Sequence, residues 1–120
     1  MKPDIACRED IVLLVNRFYQ RVKGDQEIGQ FFSHVNWDKH LAVMYDFWEN
    51  ALFYTGGYLG NPLKTHQSFH RKSPLTTAHF QRWLQLFVET VDELFSGNNS
   101  EQIKQRALSI STVMQIKIFS

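Results

Sequence analysis

The stretch "WDKHLAVMYDFW", residues 37–48, decides the fold class. Trp37, Leu41, Met44 and Trp48 follow one another at steps of four, three and four residues, and His40, Met44 and Phe47 occupy an overlapping face. Such spacing marks an α-helix with one apolar side, because 3.6 residues complete a turn. His40 therefore looks into the same space as Met44. On an isolated apolar face the ordinary explanation is a core histidine whose hydrogen bonds are satisfied, and nothing within these residues argues further.

The same period appears on both sides. Upstream, "EDIVLLVNRFYQRV" (9–22) repeats Ile11, Leu14, Val15, Phe18 and Val22 at helical steps, with Asp10 favouring its start and Gly24 its end. Tyr19 borders that stripe, so its ring can face inward while its hydroxyl needs a partner. Phe31 and Phe32 read as core plugs, or as walls if a cavity exists. Downstream, "TGGYLGNP" (55–62) stops the second helix and opens a connector that runs to Pro74. Thr76 is a suitable cap for a third helix whose inward face is Phe80, Trp83, Leu84, Phe87, Val91 and Leu94. The last helix follows Gly97: Asn98 and Glu101 have capping-box spacing, and Ile103, Ala107, Ile110, Met114 and Ile118 form its apolar stripe. An all-α protein with four main helices is expected, as one domain over 1–120. Its final stripe closes the core, and a monomer is expected with a dimer not excluded.

Composition narrows the function. A chain of 120 residues with 43% hydrophobic content suits a single packed core rather than disorder. Thirteen basic residues against twelve acidic ones give no strong field for nucleic acid or anionic lipid. Cys7 stands alone and permits no internal disulfide. No stretch approaches the ~20 apolar residues that span a bilayer, so a soluble cytoplasmic protein without membrane insertion is expected. Ten Phe, four Tyr and three Trp are many rings for so short a chain. Either the core is aromatic-rich or part of it surrounds a flat apolar ligand.

Few chemistries fit. In "NPLKTHQSFHRKSP" (61–74), His66 and His70 are two zinc-competent side chains without a distinctive third or fourth ligand. Gly56 and Gly57 lack the preceding strand and the GK[ST] of a phosphate loop. Cys7 has no nearby orienting base, and Glu89, Asp92 and Glu93 read as the solvated side of a helix. Haem asks for something else: an apolar, aromatic slot, one axial nitrogen and a restricted opposite face. Tyr19, Phe32, His40, Met44, Phe47, Trp83 and Phe87 could line such a slot, with His66 approaching from the other side. Ordinary core packing accounts for the same rings equally well.

The ordered set Phe18–Tyr19, Phe31–Phe32, "WDKHLAVMYDFW", "NPLKTH" ending at His66, and "FQRWLQLF" (80–87) resembles the group III truncated haemoglobins across most of the chain. That resemblance implies a two-over-two helical sandwich around haem b, with His66 as the proximal iron ligand. It implies that Tyr19 and Trp83 contact a distal ligand as hydrogen-bond donors, that His40 gates the distal pocket, and that Phe32, Met44, Phe47 and Phe87 lie along the haem. Met44 replaces the branched aliphatic side chain common at its position, and is softer and more flexible. The expected function is reversible binding of dioxygen or another diatomic ligand. A haem-dependent nitric oxide dioxygenase or a peroxidase-like enzyme supplied by a reductase is the alternative, and a cofactor-free helical interaction module is a third reading.

Overall fold

The computed structural model describes residues 2–32, 36–53 and 76–119, with side chains described through Ile116. Four α-helices and a short 3-10 turn account for most of them: α1 (Arg8–Gly24), the turn Gly29–Phe32, α2 (Trp37–Phe53), α3 (Thr77–Leu94) and α4 (Asn98–Phe119). No strand occurs among the described residues. Each helix begins and ends close to where the sequence signals it.

Helix α1 packs against both α2 and α3, and α4 packs against both α3 and α2. The two pairs, α1 with α2 and α3 with α4, thus lie one over the other as the two-over-two sandwich expected. The stripe that the period identifies on α1 is the stripe that is buried: Ile11, Leu14, Val15, Phe18 and Val22 are wholly inaccessible. On α3 the buried set is Phe80, Leu86, Phe87, Thr90 and Val91, while Trp83, Leu84 and Leu94 are half-buried against it. Ile103, Ala107 and Met114 of α4 complete the core. Ile118 lies beyond the described side chains. Leu108, Val113 and Ile116 on the same helix face solvent.

Helix ends show where local rules hold and where they give way. Thr76 caps α3 as expected: its hydroxyl accepts the His79 N–H, and His79 Nδ1 accepts the Thr76 N–H in return. The capping box is therefore closed by an imidazole nitrogen in place of the usual Glu or Gln. At α4 the capping-box spacing of Asn98 and Glu101 is superseded. The carboxylate of Asp4, far away in sequence, accepts the N–H groups of Asn99 and Ser100, each at 2.9 Å, and the Ser100 hydroxyl at 2.7 Å. Gly97 makes this approach feasible. Its φ of 141° belongs to glycine, and a Cβ there would lie 2.5 Å from the Asp4 carboxyl carbon. Ser96 N–H to Pro3 O and Asn99 Nδ2 to Ile5 O stitch the rest of the N-terminal arm to the same corner.

Candidate functional site

The large rings form two groups. Around the C-terminal half of α1, Tyr19 meets Phe32 from the 3-10 turn (6.1 Å between centroids), Trp37 (5.5 Å) and His40 (5.0 Å) from α2. Deeper in the sandwich, Trp48 stacks on Phe87 at 4.5 Å, and Trp83 lies within 15° of the Phe87 plane. Phe47 joins this second group through Trp48. Phe18 connects the two, touching Tyr19 at 4.7 Å, Phe87 at 5.1 Å and Trp83 at 5.8 Å. Consecutive residues on α1 thus face the two groups, which is how one helix serves both.

Of the residues singled out from sequence, Tyr19, Phe32 and His40 come together in the first group, and Phe47, Trp83 and Phe87 in the second. Met44 lies one turn beyond His40 on α2, half-buried against the core. His66 and His70 lie outside the described residues. Trp37, Phe18 and Trp48 complete the arrangement without having been assigned a site role. Trp37 and Trp48 sit on the α2 stripe at 37, 41, 44 and 48, and Phe18 on the α1 stripe. Being on a stripe explains burial and hides any further duty, but the three-residue step from Trp37 to His40 is a legible signal that their rings share a face.

Polar groups in this interior are sparse. Tyr19 is 4% exposed, and burial alone pushes its phenol well above the ordinary tyrosine range. It is therefore a protonated donor at any physiological pH. Trp48, 1% exposed, has an indole N–H with no hydrogen-bond partner among the described residues. Buried donors are nearly always paired in native proteins, so a shortage of acceptors on one apolar side is a site signal.

The surrounding helices are held in place by polar ties on the outside. Asp25, at the end of α1, takes two bonds from Arg82 of α3, from Nε at 2.8 Å and Nη2 at 2.7 Å, and the N–H groups of Glu27 and Ile28. Burial pushes this carboxyl up, but the Arg82 guanidinium and the two backbone donors outweigh it and hold it below the usual range. Arg82 precedes Trp83, so the tie sets how α3 presents Trp83 to α1. Tyr45 donates to Asn16 and Arg8 reaches both Asp46 and Glu49, linking α1 to α2.

The bacterial-like globin family model matches residues 4–118 of this chain. The chain belongs to that family. It is similar to the group III truncated type: the group 3 truncated haemoglobin ctb of Campylobacter jejuni is 30% identical over 125 aligned residues, covering 99% of this chain and 96% of that protein. The crystal structure of the group III truncated haemoglobin from Campylobacter jejuni superposes with a TM-score of 0.86 at 30% identity, covering 98% and 95% of the two chains. Chlamydomonas reinhardtii THB1 shares the fold at 22% identity, with a TM-score of 0.71 over 94% and 90%. The truncated-globin fold and the haem-binding family expected from the sequence are therefore both shown.

The residues of this globin fit a flat apolar cofactor. Met44, Phe47 and Trp83 are large apolar side chains packed on a closed core yet only half-buried, so the described helices leave part of their surface uncovered. The planes of Trp48, Phe87 and Trp83 lie within 23° of one another, a stack of near-parallel rings. No group of three or more His, Cys, Asp or Glu side chains that could hold a bare metal ion occurs among the described residues. No described helix is long and apolar enough to cross a membrane.

Proposed function

We propose that this globin would hold haem b through His66 and take a small diatomic ligand, dioxygen foremost, on the face carrying Tyr19, His40 and Trp83. The observation that carries the reading is the buried Tyr19 phenol, an O–H donor kept protonated in an apolar pocket beside His40. Haem, when bound, supplies the iron at which a diatomic ligand is held. The chain supplies everything selective around it. Tyr19 offers an O–H and Trp83 an N–H to the ligand's outer atom, and a donor fixed by packing gives such a bond without reorganisation. Phe32, Met44, Phe47 and Phe87 exclude water and bound the cofactor. His40, between Tyr19 and the start of α2, lies where access to that face is controlled. The reading takes 1–120 as one haem-binding domain acting in the cytoplasm, and the Campylobacter jejuni protein's description as a truncated haemoglobin supports its haem-binding part.

The test begins with haem titrated into the purified chain under reducing, oxygen-free conditions. A saturable haem-protein absorption spectrum is expected, together with its loss in His66→Ala. Dioxygen dissociation should then speed up by about tenfold in Tyr19→Phe, the size of one lost hydrogen bond. Identical dissociation rates in wild type, Tyr19→Phe and Trp83→Phe would remove the assigned role of both donors.

A further inference from the structure

His40 is enclosed by rings on three sides. Tyr19 meets it edge-on at 5.0 Å and 85°, Trp37 edge-on at 5.6 Å and 86°, and Phe32 at 6.3 Å. These walls are unequal. Tyr19 and Phe32 are buried, whereas Trp37, the first residue of α2, is half-buried and forms the wall nearest solvent. Of the three described walls, the indole is therefore the one that an outward shift of the half-buried imidazole would displace.

Two contacts resist that. Phe32 stacks on Trp37 at 5.9 Å with planes 27° apart, and the ammonium of Lys23 sits 4.8 Å from the Trp37 ring centroid. Lys23 is exposed in the last turn of α1, so it reaches across from the helix that carries Tyr19 to the helix that carries His40. A cation over an indole face is attracted by the ring's negative quadrupole, most strongly for tryptophan among the aromatic side chains. Lys23 thus braces the outer wall of the cage from outside.

We infer that Trp37, braced by Phe32 and Lys23, is a positioning residue that holds the His40 imidazole against Tyr19, and that the Lys23 contact sets how readily the distal pocket opens to a diatomic ligand. The inference rests on the reading that Tyr19 and His40 face such a ligand. It adds a control point on the surface, outside the pocket. Its strength is bounded by the contact itself: an exposed cation–π pair corresponds to about two- to fivefold in an open–closed equilibrium.

The experiment uses the ferrous haem-loaded protein with carbon monoxide as probe, comparing wild type with Lys23→Met, Lys23→Arg and Trp37→Leu. Lys23→Met keeps the aliphatic stem and removes the charge, and an exposed site makes it safe for folding. Expected are a two- to fivefold faster carbon monoxide association in Lys23→Met, wild-type behaviour in Lys23→Arg, and a larger acceleration in Trp37→Leu. The vibrational bands of bound carbon monoxide should show a second population in Lys23→Met as His40 leaves its place. Ring-proton Overhauser contacts between Trp37 and His40 in the same form should weaken, which loss of general stability would not produce. Haem-loaded Lys23→Met and Trp37→Leu with wild-type rates and bands would overturn the inference and leave the haem reading standing. A wild-type chain that takes up no haem would sink the proposed function, and this inference with it.

Discussion

Two corners of the molecule treat their polar groups in opposite ways. At the start of α4, the Asp4 carboxylate accepts bonds from Ile5, Asn99 and Ser100, and the neighbouring backbone is tied to Pro3 and Ile5. At the Tyr19 end of α1, a phenol is buried among rings with no hydrogen bond to it among the described residues, and deeper in the sandwich the Trp48 N–H has no partner there either. Burying a donor without an acceptor costs about 1–3 kcal/mol, and the Trp48 N–H is such a donor among the described residues. The difference separates what holds this globin together from what it keeps available for a ligand.

Substitution at each corner sharpens the contrast. Asp4→Ala should have the largest effect on stability, a loss of about 1–2 kcal/mol, because it strips α4 of its cap and orphans two helix N–H groups. Denaturant unfolding would measure it, and carbon monoxide kinetics should not change. Acid probes the same corner next. Burial raises the Asp4 carboxyl, but the Ser100 hydroxyl and the N–H groups of Asn99, Ser100 and Ile5 outweigh it and hold the group below the ordinary range. Its stabilisation is therefore complete above the unfolded value of about 3.9 and is lost as pH falls through the lower folded value. Helicity followed on acidification should fall less steeply below about pH 4 in Asp4→Asn than in wild type. The smallest stability change belongs to Tyr19→Phe, within about 0.5 kcal/mol or slightly stabilising, since it removes a hydroxyl to which the described residues make no hydrogen bond. A large loss on Tyr19→Phe would erase the contrast between the two corners.

Much of this was legible in the residue order. Helical period located all four helices, because each buries one face and the face is written at three- and four-residue steps. Thr76 announced the start of α3 because a cap acts within one turn. Asp4 did not announce its role, since its partners at 99 and 100 are brought to it by the fold and no local spacing encodes that meeting. The Asp25–Arg82 tie was hidden for the same reason. In the site, the rings were visible as a surplus of aromatics and the order of motifs identified the family, but which rings meet depended on tertiary packing. Trp37 shows this best: its step to His40 is legible, whereas its contacts with Tyr19 and Phe32 depended on packing.

Phe18 carries one more consequence. It is fully buried and its ring lies against Tyr19 on one side and against Trp83 and Phe87 on the other. The two donors proposed to serve the ligand are thus spaced by one shared side chain. Substitutions at Tyr19 and Trp83 share that spacer, and residues that share a packed neighbour do not act additively. A change of one methylene at position 18 would therefore be felt by both donors at once.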